Sequence, residues 1–598
     1  MVSRSSGRSA GKRSAKQSAK QSAKRTKKRQ QGGASSTASR PARGTKRSNR
    51  KNKRAAAVLP AVDAPELSPK EQLRAERAAA TLRRKNITFV SLTFLSCTFL
   101  GLMVGLLIEP KVGAALGAGL LCLLLSFRYQ RLALYAFIIY IPFGGTITYE
   151  LGGSALLQLA KDVFYIPALI GVYQFCRKNR FPIILPQALK PPLIMLMIIV
   201  VITALLTNIP DQISGEGGKY PAAMAVLGIK LLFGYVPLVA CIYYLIRDKA
   251  DLVWLLRLQT VLVLAACSLG AMQYFMLKTG MCVGTTGTGQ DLFRASLDAR
   301  CFVGGSLLYS PEQGQIRLPG TFVAPWQWGW FLISAAFFSF GTTFSDKSAF
   351  WRLVGLVSLV AVMVMATVSG QRVSLVVVPA ALVALTVITG QVANLKRFIP
   401  IGVVLGLILT YLVVSNPAVL EARINSLESR WDASPPQQFM AEQFSQVWKE
   451  QEGIFGHGVG RATNSARSLG STSLIETYHP KLIYEIGPLG LIAALVVYTV
   501  LTVVTFKAYR KTKDKNLRSY AASMWVFILF ISYWPYYYPL DVDPVAVYYW
   551  LAAGVVLKIP ELERQEQAAA AEALDLAAME ATGKVGKRRS KKAVPTFG

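Results

Sequence analysis

Long apolar runs separated by short polar turns dominate the chain from about residue 88 to residue 558. A helix needs roughly 20 mostly apolar residues to cross a lipid bilayer. The runs predict fourteen candidate spans: 88–108, 112–127, 131–147, 163–176, 192–208, 226–246, 251–276, 325–344, 350–369, 373–390, 397–415, 482–508, 517–536 and 543–558. The pattern therefore predicts an all-α polytopic membrane protein with about 12–14 transmembrane helices.

Two polar segments, residues 277–324 and 416–481, are much longer than the other connections between apolar runs. Backbone N–H and C=O groups cannot stay unsatisfied against lipid, so both segments are expected at or above the outer membrane interface. The second is predicted to be one large extracytoplasmic loop. Within it, residues 438–452 place Phe439, Phe444 and Trp448 near helical spacing, which predicts a short amphipathic helix on the membrane surface or over a cavity.

The chain is strongly basic, with a formal net charge of +35, although 52% of its residues are hydrophobic. Residues 1–54 contain nineteen Lys and Arg and no acid. A segment of this composition buries too little apolar surface to fold, so residues 1–86 are predicted to be a disordered cytoplasmic tail. Contact of this tail with anionic membrane lipids is favoured over binding of nucleic acid, and no specific nucleic acid is expected.

The remaining basic residues predict the orientation of the chain. Placing the N-terminus in the cytoplasm puts most Lys and Arg of the connecting turns on the cytoplasmic side, as the positive-inside rule requires. Residues 87–560 are then a transmembrane domain, and residues 561–598 form a cytoplasmic C-terminal tail. The first apolar run begins too far from the N-terminus for a cleaved signal peptide, so it is expected to be retained. The sequence predicts a multi-pass protein with both termini in the cytoplasm.

Ionisable residues at the predicted outer ends of the helices are the candidates for a functional site. Charges near the hydrocarbon boundary are unfavourable and tend to face a polar cavity. The alternative for any single arginine is that it extends to the lipid headgroups. The candidates, all predicted on one membrane face, are Arg317, Arg372, Arg461, His479 and Glu485.

His479 and His457 are the only histidines, and both lie in the second polar segment. Pro480 favours the first position of a helix, so His479 is predicted at a helix N-terminus. Exposed N–H groups there favour anions, and a neutral imidazole beside them could accept a proton from a hydroxyl. A capping or surface role is the alternative for His479. His457 lies in the glycine-rich turn 453–460 and is interpreted as structural.

Cysteine positions leave one question open. Cys282 and Cys301 lie in the first long polar segment, on the side that faces an oxidising compartment. A disulfide between them is as consistent with the sequence as two free thiols, because sequence does not fix their distance. The other five cysteines lie in or near apolar runs and are interpreted as small packing residues.

Five short motifs resemble the O-antigen ligase and polymerase superfamily of the bacterial inner membrane, over roughly residues 310–500. The first is an arginine followed by glycine and an aromatic residue ahead of a helix, and the second is a small-residue and arginine step between two helices. The others belong to a large outer loop and the helix after it. The motifs are Arg317 to Phe322, Ser369 to Arg372, Gly453 to Gly460, Tyr478-His479-Pro480 and Glu485 to Gly490.

The resemblance implies a GT-C-type glycosyltransferase that needs no metal and no cofactor. Such enzymes move a glycan from a polyprenyl pyrophosphate carrier to a lipid or glycan acceptor at the outer face of the inner membrane. The resemblance implies that Arg317 and Arg372 hold the pyrophosphate and that His479 activates the acceptor. Arg461 is expected to assist at the pyrophosphate and Glu485 to take part in catalysis. The family commonly has Asn where this chain has Pro480.

Other functions remain open on the sequence. The first alternative is an O-antigen or exopolysaccharide polymerase of the same superfamily, and the second is a transporter of polysaccharide or lipid-linked glycan. Transporters often contain internal repeats, and no clear repeat relates the two halves of this chain. A structural membrane scaffold is also consistent with the spans. The sequence contains no phosphate-binding P-loop.

Overall fold

The computed structural model describes residues 69–150, 160–215, 218–282, 300–304, 308–310, 315–397, 435–451, 453–467, 469–581 and 596–597, with scattered positions between 399 and 432. The chain divides into two units, residues 1–78 and residues 79–598. The described part of the second unit is almost entirely helical. It confirms the prediction of an all-α protein with many spans.

The N-terminal half of the described chain consists of ten helices. Several are interrupted by short turns, and a π-helical turn at Ala204–Asn208 connects the sixth to the seventh. The bounds are α1 Pro69–Leu107, α2 Pro110–Arg128, α3 Gln130–Tyr140, α4 Gly144–Glu150, α5 Asp162–Asn179, α6 Lys190–Thr203, α7 Ile209–Ser214, α8 Pro221–Phe233, α9 Leu238–Leu245 and α10 Lys249–Lys278.

The C-terminal half opens with a small antiparallel sheet that pairs Leu308 with Arg317. Its strands and the following described helices are β1 Leu308–Ser310, β2 Gln315–Arg317, α11 Pro325–Ser345, α12 Ala349–Val368, α13 Arg372–Ile388, α14 Pro436–Glu450, α15 Tyr478–Lys511, α16 Lys515–Tyr533 and α17 Val545–Ala581. The apolar runs predicted from sequence coincide with these helices, except that the run 397–415 lies mostly outside the described residues.

Nine of the described helical stretches are long and apolar enough to cross a membrane. They are Gln72–Leu107, Pro110–Arg128, Gln130–Glu150, Gln187–Ser214, Pro221–Leu245, Lys249–Lys278, Ala349–Val368, Tyr478–Lys511 and Val545–Met579. A shorter apolar helix is Arg372–Ile388. These helices make the chain a multi-pass membrane protein.

Helix α11 forms the centre of the bundle. It packs against α10, α12, α13, α16 and α17, and nearly all of its side chains are buried. Its sequence carries five phenylalanines and two of the largest fully buried side chains, Trp328 and Trp330. A helix that is apolar on every side either is covered by other helices or faces lipid, and α11 is covered by its five neighbours.

Both predicted tails overlap regular helices. The prediction of disorder for residues 1–86 is wrong for residues 69–86, which form the first part of α1; residues 1–68 lie outside the described residues. Ala, Glu, Arg and Leu are strong helix formers, and the apolar run that follows already supplies a nucleated helix to extend. Similarly, α17 continues past Pro560 to Ala581, inside the predicted C-terminal tail.

Two local predictions are settled by the structure. Cys282 and Cys301 form a disulfide, with their Cα atoms 5.6 Å apart. The predicted amphipathic helix of residues 438–452 is α14, which begins at Pro436. Both features belong to the two long polar segments between helices.

Candidate functional site

The candidate site lies at one end of the bundle, where α11, α13 and α15 begin and α12 and α16 end. Leu318, directly after β2, donates its N–H to the carbonyl oxygen of Ser369 at 2.9 Å. Tyr478 donates its N–H to the carbonyl oxygen of Pro535 at 2.6 Å, and Thr477 forms a β-bridge with Tyr536. These backbone contacts connect segments that are far apart in the sequence.

The two arginines implied by the family resemblance share one electrostatic environment. Arg317 ends β2, and Arg372 is the first residue of α13. Burial lowers the pKa of the Arg317 guanidinium, and the neighbouring positive charge of Arg372 lowers it further. Tyr537 and the carboxylate of Glu476 act in the opposite direction. The charges of Arg317 and Arg372 are therefore close enough to act on each other, and their role at a pyrophosphate stays a prediction.

Glu476 is a member of this environment that sequence reasoning missed. Burial raises the pKa of its carboxyl, while Arg317 and Arg467 oppose that rise. Its backbone N–H donates to Gln443 Oε1 of α14 at 2.8 Å. Its position three residues before His479 is the sequence feature that could have identified Glu476 as a candidate.

His479 is the second residue of α15 and its imidazole is half-buried. The helix begins at Tyr478, two residues before the predicted start at Pro480, because Thr477 already has the extended backbone of an N-cap. Nε2 of His479 is buried and has no hydrogen-bond partner among the described residues. The backbone of His479 lies within about 11 Å of that of Glu476, because three residues span no more than this.

Glu485 is held by groups of the protein itself. Its Oε1 accepts hydrogen bonds from the Ala462 N–H at 2.9 Å and from Thr463 Oγ1 at 3.0 Å. Lys481 Nζ lies 3.8 Å from the same oxygen and donates to Thr463 Oγ1 at 2.9 Å. Lys481 also forms an ion pair with Asp541, and its side chain is only 2% exposed. These contacts favour a structural role for Glu485, which ties Ala462 and Thr463 to α15.

Arg461 also contacts groups of the protein. It forms an ion pair with Asp211 of α7. Beside it, the buried amide of Asn208 donates to the carbonyl oxygens of Pro221 and Val459, both at 3.1 Å, and accepts from the Val459 N–H at 2.9 Å. Arg461 and Asn208 therefore fix the loop 458–461 against the π-helical turn, a role that the sequence did not indicate.

The glycine-rich turn 453–460 packs on a break in α15. At Gly487 the backbone has φ 73° and ψ 174°, and an added Cβ would lie 2.1 Å from the carbonyl oxygen of Ile454. His457 stacks on Tyr484, with ring centroids 4.5 Å apart and planes 11° apart. The backbone N–H of His457 donates to the carbonyl oxygen of Tyr484 at 2.7 Å. These contacts support the structural interpretation of His457.

Helix α14 covers the same loop from the other side. Val447 is buried and packs with Ala462, Ile475 and Ile483. Phe444 and Trp448 point away, stacked on each other at 6.0 Å and exposed by 43% and 56%. Aromatic side chains that remain exposed on an amphipathic helix are typical of a surface against lipid headgroups. The helix thus joins the loop core and offers an aromatic face to its surroundings.

No protein-family model matches this chain, and no curated protein matches it. The chemistry of the site therefore has to be argued from its residues. Two guanidinium groups at the same end of the bundle are suited to bind an anion with more than one charge. An imidazole with a buried, unpartnered nitrogen is suited to accept a proton from a hydroxyl group nearby.

Proposed function

We propose that this chain is an O-antigen ligase-like glycosyltransferase of the GT-C type in the bacterial inner membrane. In this proposal it moves a glycan from a polyprenyl pyrophosphate carrier to an acceptor hydroxyl at the outer face. The observation that supports the proposal is that Arg317, Arg372 and His479 all lie at the bundle end where α15 begins, with the charges of the two arginines close enough to act on each other. Guanidinium groups bind phosphate oxygens through charge-assisted hydrogen bonds, which is the recognition that a pyrophosphate requires.

The chemistry requires little more than these groups. The acceptor oxygen attacks the anomeric carbon of the donor sugar, the bond from that carbon to the phosphate oxygen breaks, and the electron pair leaves with the pyrophosphate. Arg317 and Arg372 would stabilise the charge that develops on the leaving group. His479 would accept the proton of the attacking hydroxyl. Glu476 would orient the guanidinium groups.

Glu485 and Arg461 are assigned a positioning role in this proposal. Both are engaged by protein groups that join the outer loop to α15 and to α7. A loop held at several points keeps its orientation when a substrate binds, which reduces the entropy lost in reaching the reactive geometry.

The proposal is tested by His479→Ala and Arg372→Ala alleles that replace the chromosomal gene. We expect both to abolish glycan transfer while the protein still inserts into the membrane at the normal level. Surface glycan is followed by gel electrophoresis, and lipid-linked intermediates are followed by mass spectrometry. His457→Phe is the matched control, because it replaces the other histidine and preserves the stacking on Tyr484. Full transfer by both alanine variants would instead favour the transporter alternative.

The lipid-linked intermediates that accumulate also distinguish a ligase from a polymerase. Loss of a ligase leaves long lipid-linked glycan in the membrane, whereas loss of a polymerase leaves single repeat units. Cysteine substitutions at positions 317, 372 and 479 test the orientation of the site. All three are expected to react with a membrane-impermeant reagent from the outer side. Labelling of any one from the cytoplasm contradicts the proposed site.

A further inference from the structure

A polar cavity lies at the bundle end opposite to the candidate site. It has a volume of about 610 Å³ and is formed where α11, α13 and α15 end and where α12 and α16 begin. Helix α13 connects the two places directly, because Arg372 begins it and the cavity lies at Val387 and Ile388. Under the predicted orientation, this is the cytoplasmic end.

Three basic side chains line this cavity: Arg352 from α12 and Lys515 and Arg518 from α16. The Arg518 guanidinium stands over the ring of Tyr509, with its carbon 5.6 Å from the ring centroid. Within the part of the chain that the structure describes, none of the three forms an ion pair with a carboxylate. Three positive charges therefore converge on one hollow.

The acidic residue of the cavity wall does not compensate these charges. Asp346 is fully engaged by Arg257, whose Nε and Nη2 donate to its two carboxylate oxygens at 2.7 and 2.8 Å. The Ser348 N–H donates to Asp346 Oδ1 at 2.8 Å. Arg352 contacts only the backbone carbonyl of Asp346, at a long 3.4 Å. The cavity thus retains an excess of positive charge, which favours an anionic ligand.

The wall is amphipathic rather than uniformly polar. Val387 and Ile388 at the end of α13 are exposed by 65% and 45%, at the periphery of a membrane-spanning bundle. Beside them, Gln391 is buried with its amide donating to Ser519 Oγ at 3.0 Å. A ligand that satisfies both parts of this wall carries an anionic headgroup and an apolar chain. A soluble phosphate would leave the apolar part of the wall unused.

We propose that this cavity binds the headgroup of an anionic glycerophospholipid, with Arg352 and Arg518 contacting the phosphate and Lys515 adding a third positive charge. The lipid's acyl chains lie along the exposed end of α13. The site is independent of the proposed transferase reaction and lies a full helix length from it. Arginine is suited to this role because its planar fork donates two hydrogen bonds to one phosphate.

The test uses the full-length protein in nanodiscs of palmitoyl-oleoyl phosphatidylcholine, alone or in an equimolar mixture with palmitoyl-oleoyl phosphatidylglycerol. Native mass spectrometry after release counts the phosphatidylglycerol molecules that stay bound. We expect Arg352→Gln and Arg518→Gln each to lower retention about tenfold, since each removes a hydrogen bond between charged groups. Arg510→Gln is the matched control, because this arginine lies at the same end of α15 but outside the cavity wall.

Two results would overturn the proposal. The first is equal retention of phosphatidylglycerol by the wild type and by both arginine variants. The second is binding of glycerol-1-phosphate, in detergent without lipid, as tight as that of the intact phospholipid, which would make this a site for a soluble phosphate. Should either arginine variant fold poorly, Lys515→Gln supplies the same test, because Lys515 lines the cavity and its side chain is exposed.

Discussion

The break in α15 at Gly487 allows a direct test of how the turn 453–460 is held against this helix. We expect Gly487→Ala to release the turn 453–460 from this helix. An added Cβ would stand 2.1 Å from the carbonyl oxygen of Ile454 and 2.8 Å from the carbonyl carbon of Phe455. Both are backbone atoms, which cannot rotate away as the end of a flexible side chain can. The loop itself would have to move.

The size of the effect follows from two contributions. A residue other than glycine at φ 73° and ψ 174° is disfavoured by about 1–3 kcal/mol. Overpacking against a fixed neighbour adds about 1–3 kcal/mol. Together they give about 4 kcal/mol, and a tenfold change in an equilibrium constant corresponds to about 1.4 kcal/mol. The equilibrium between the docked and undocked loop should therefore shift by about a thousandfold.

Hydrogen–deuterium exchange in detergent measures this shift directly. In Gly487→Ala, the backbone N–H groups of His457 and Val459 lose their acceptors, Tyr484 and Asn208, and should exchange much faster. The matched control is Gly119→Ala in α2, where an added Cβ meets no atom within 4 Å. Exchange of residues 453–467 at the same rate in both variants would refute the idea that this close approach holds the loop.

Three further predictions concern Lys481, Glu476 and the disulfide. Lys481→Met should lower the free energy of unfolding by about 3–5 kcal/mol, because it leaves buried carboxylates unpaired. Adding Glu485→Gln should restore part of this loss, as measured by thermal melts. Burial raises the pKa of Glu476, so the folded state binds the proton of this carboxyl more tightly than the unfolded chain does. The free energy of unfolding should therefore fall as the pH rises from the ordinary glutamate pKa through the raised pKa. Glu476→Gln should remove that fall, seen as a smaller difference in Tm between about pH 4 and pH 7. Replacing Cys282 and Cys301 by serine should lower stability by about 3 kcal/mol, given their separation of 19 residues, and unchanged melting would contradict the contribution of this cross-link.

The helices were predictable because each crossing needs a long apolar run, and such runs are read from composition alone. Even the interrupted spans 192–208 and 226–246 lie on helical stretches of the structure. Helix ends were less accurate. The start of α15 was predicted at Pro480 and lies at Tyr478, because the extended backbone of Thr477 begins the helix earlier. Helix propensity does not predict the backbone conformation of the residue before a helix, so predicted helix ends are uncertain by one or two residues.

The site was predictable only in part. Topology predicted that Arg317 and Arg372 lie at the same end of the bundle, and the structure places them at the end of β2 and the start of α13. Glu476 was missed because a single acid in a polar loop carries no periodic signal. Glu485 and Arg461 were selected for their charge and position, and their partners Lys481, Ala462 and Asp211 could not be read from the sequence. Pairing between distant residues depends on how the loop folds back on the helices.

The sequence by itself determined that this protein is a helical bundle with many spans, a basic N-terminal segment and two long polar segments. Hydrophobic periodicity and charge segregation are local properties, so they are legible along the chain. Only the tertiary structure decided which charges pair: Lys481 with Glu485 and Asp541, and Arg461 with Asp211. Electrostatic energy depends on distance in space, and that distance is set by packing rather than by position in the chain.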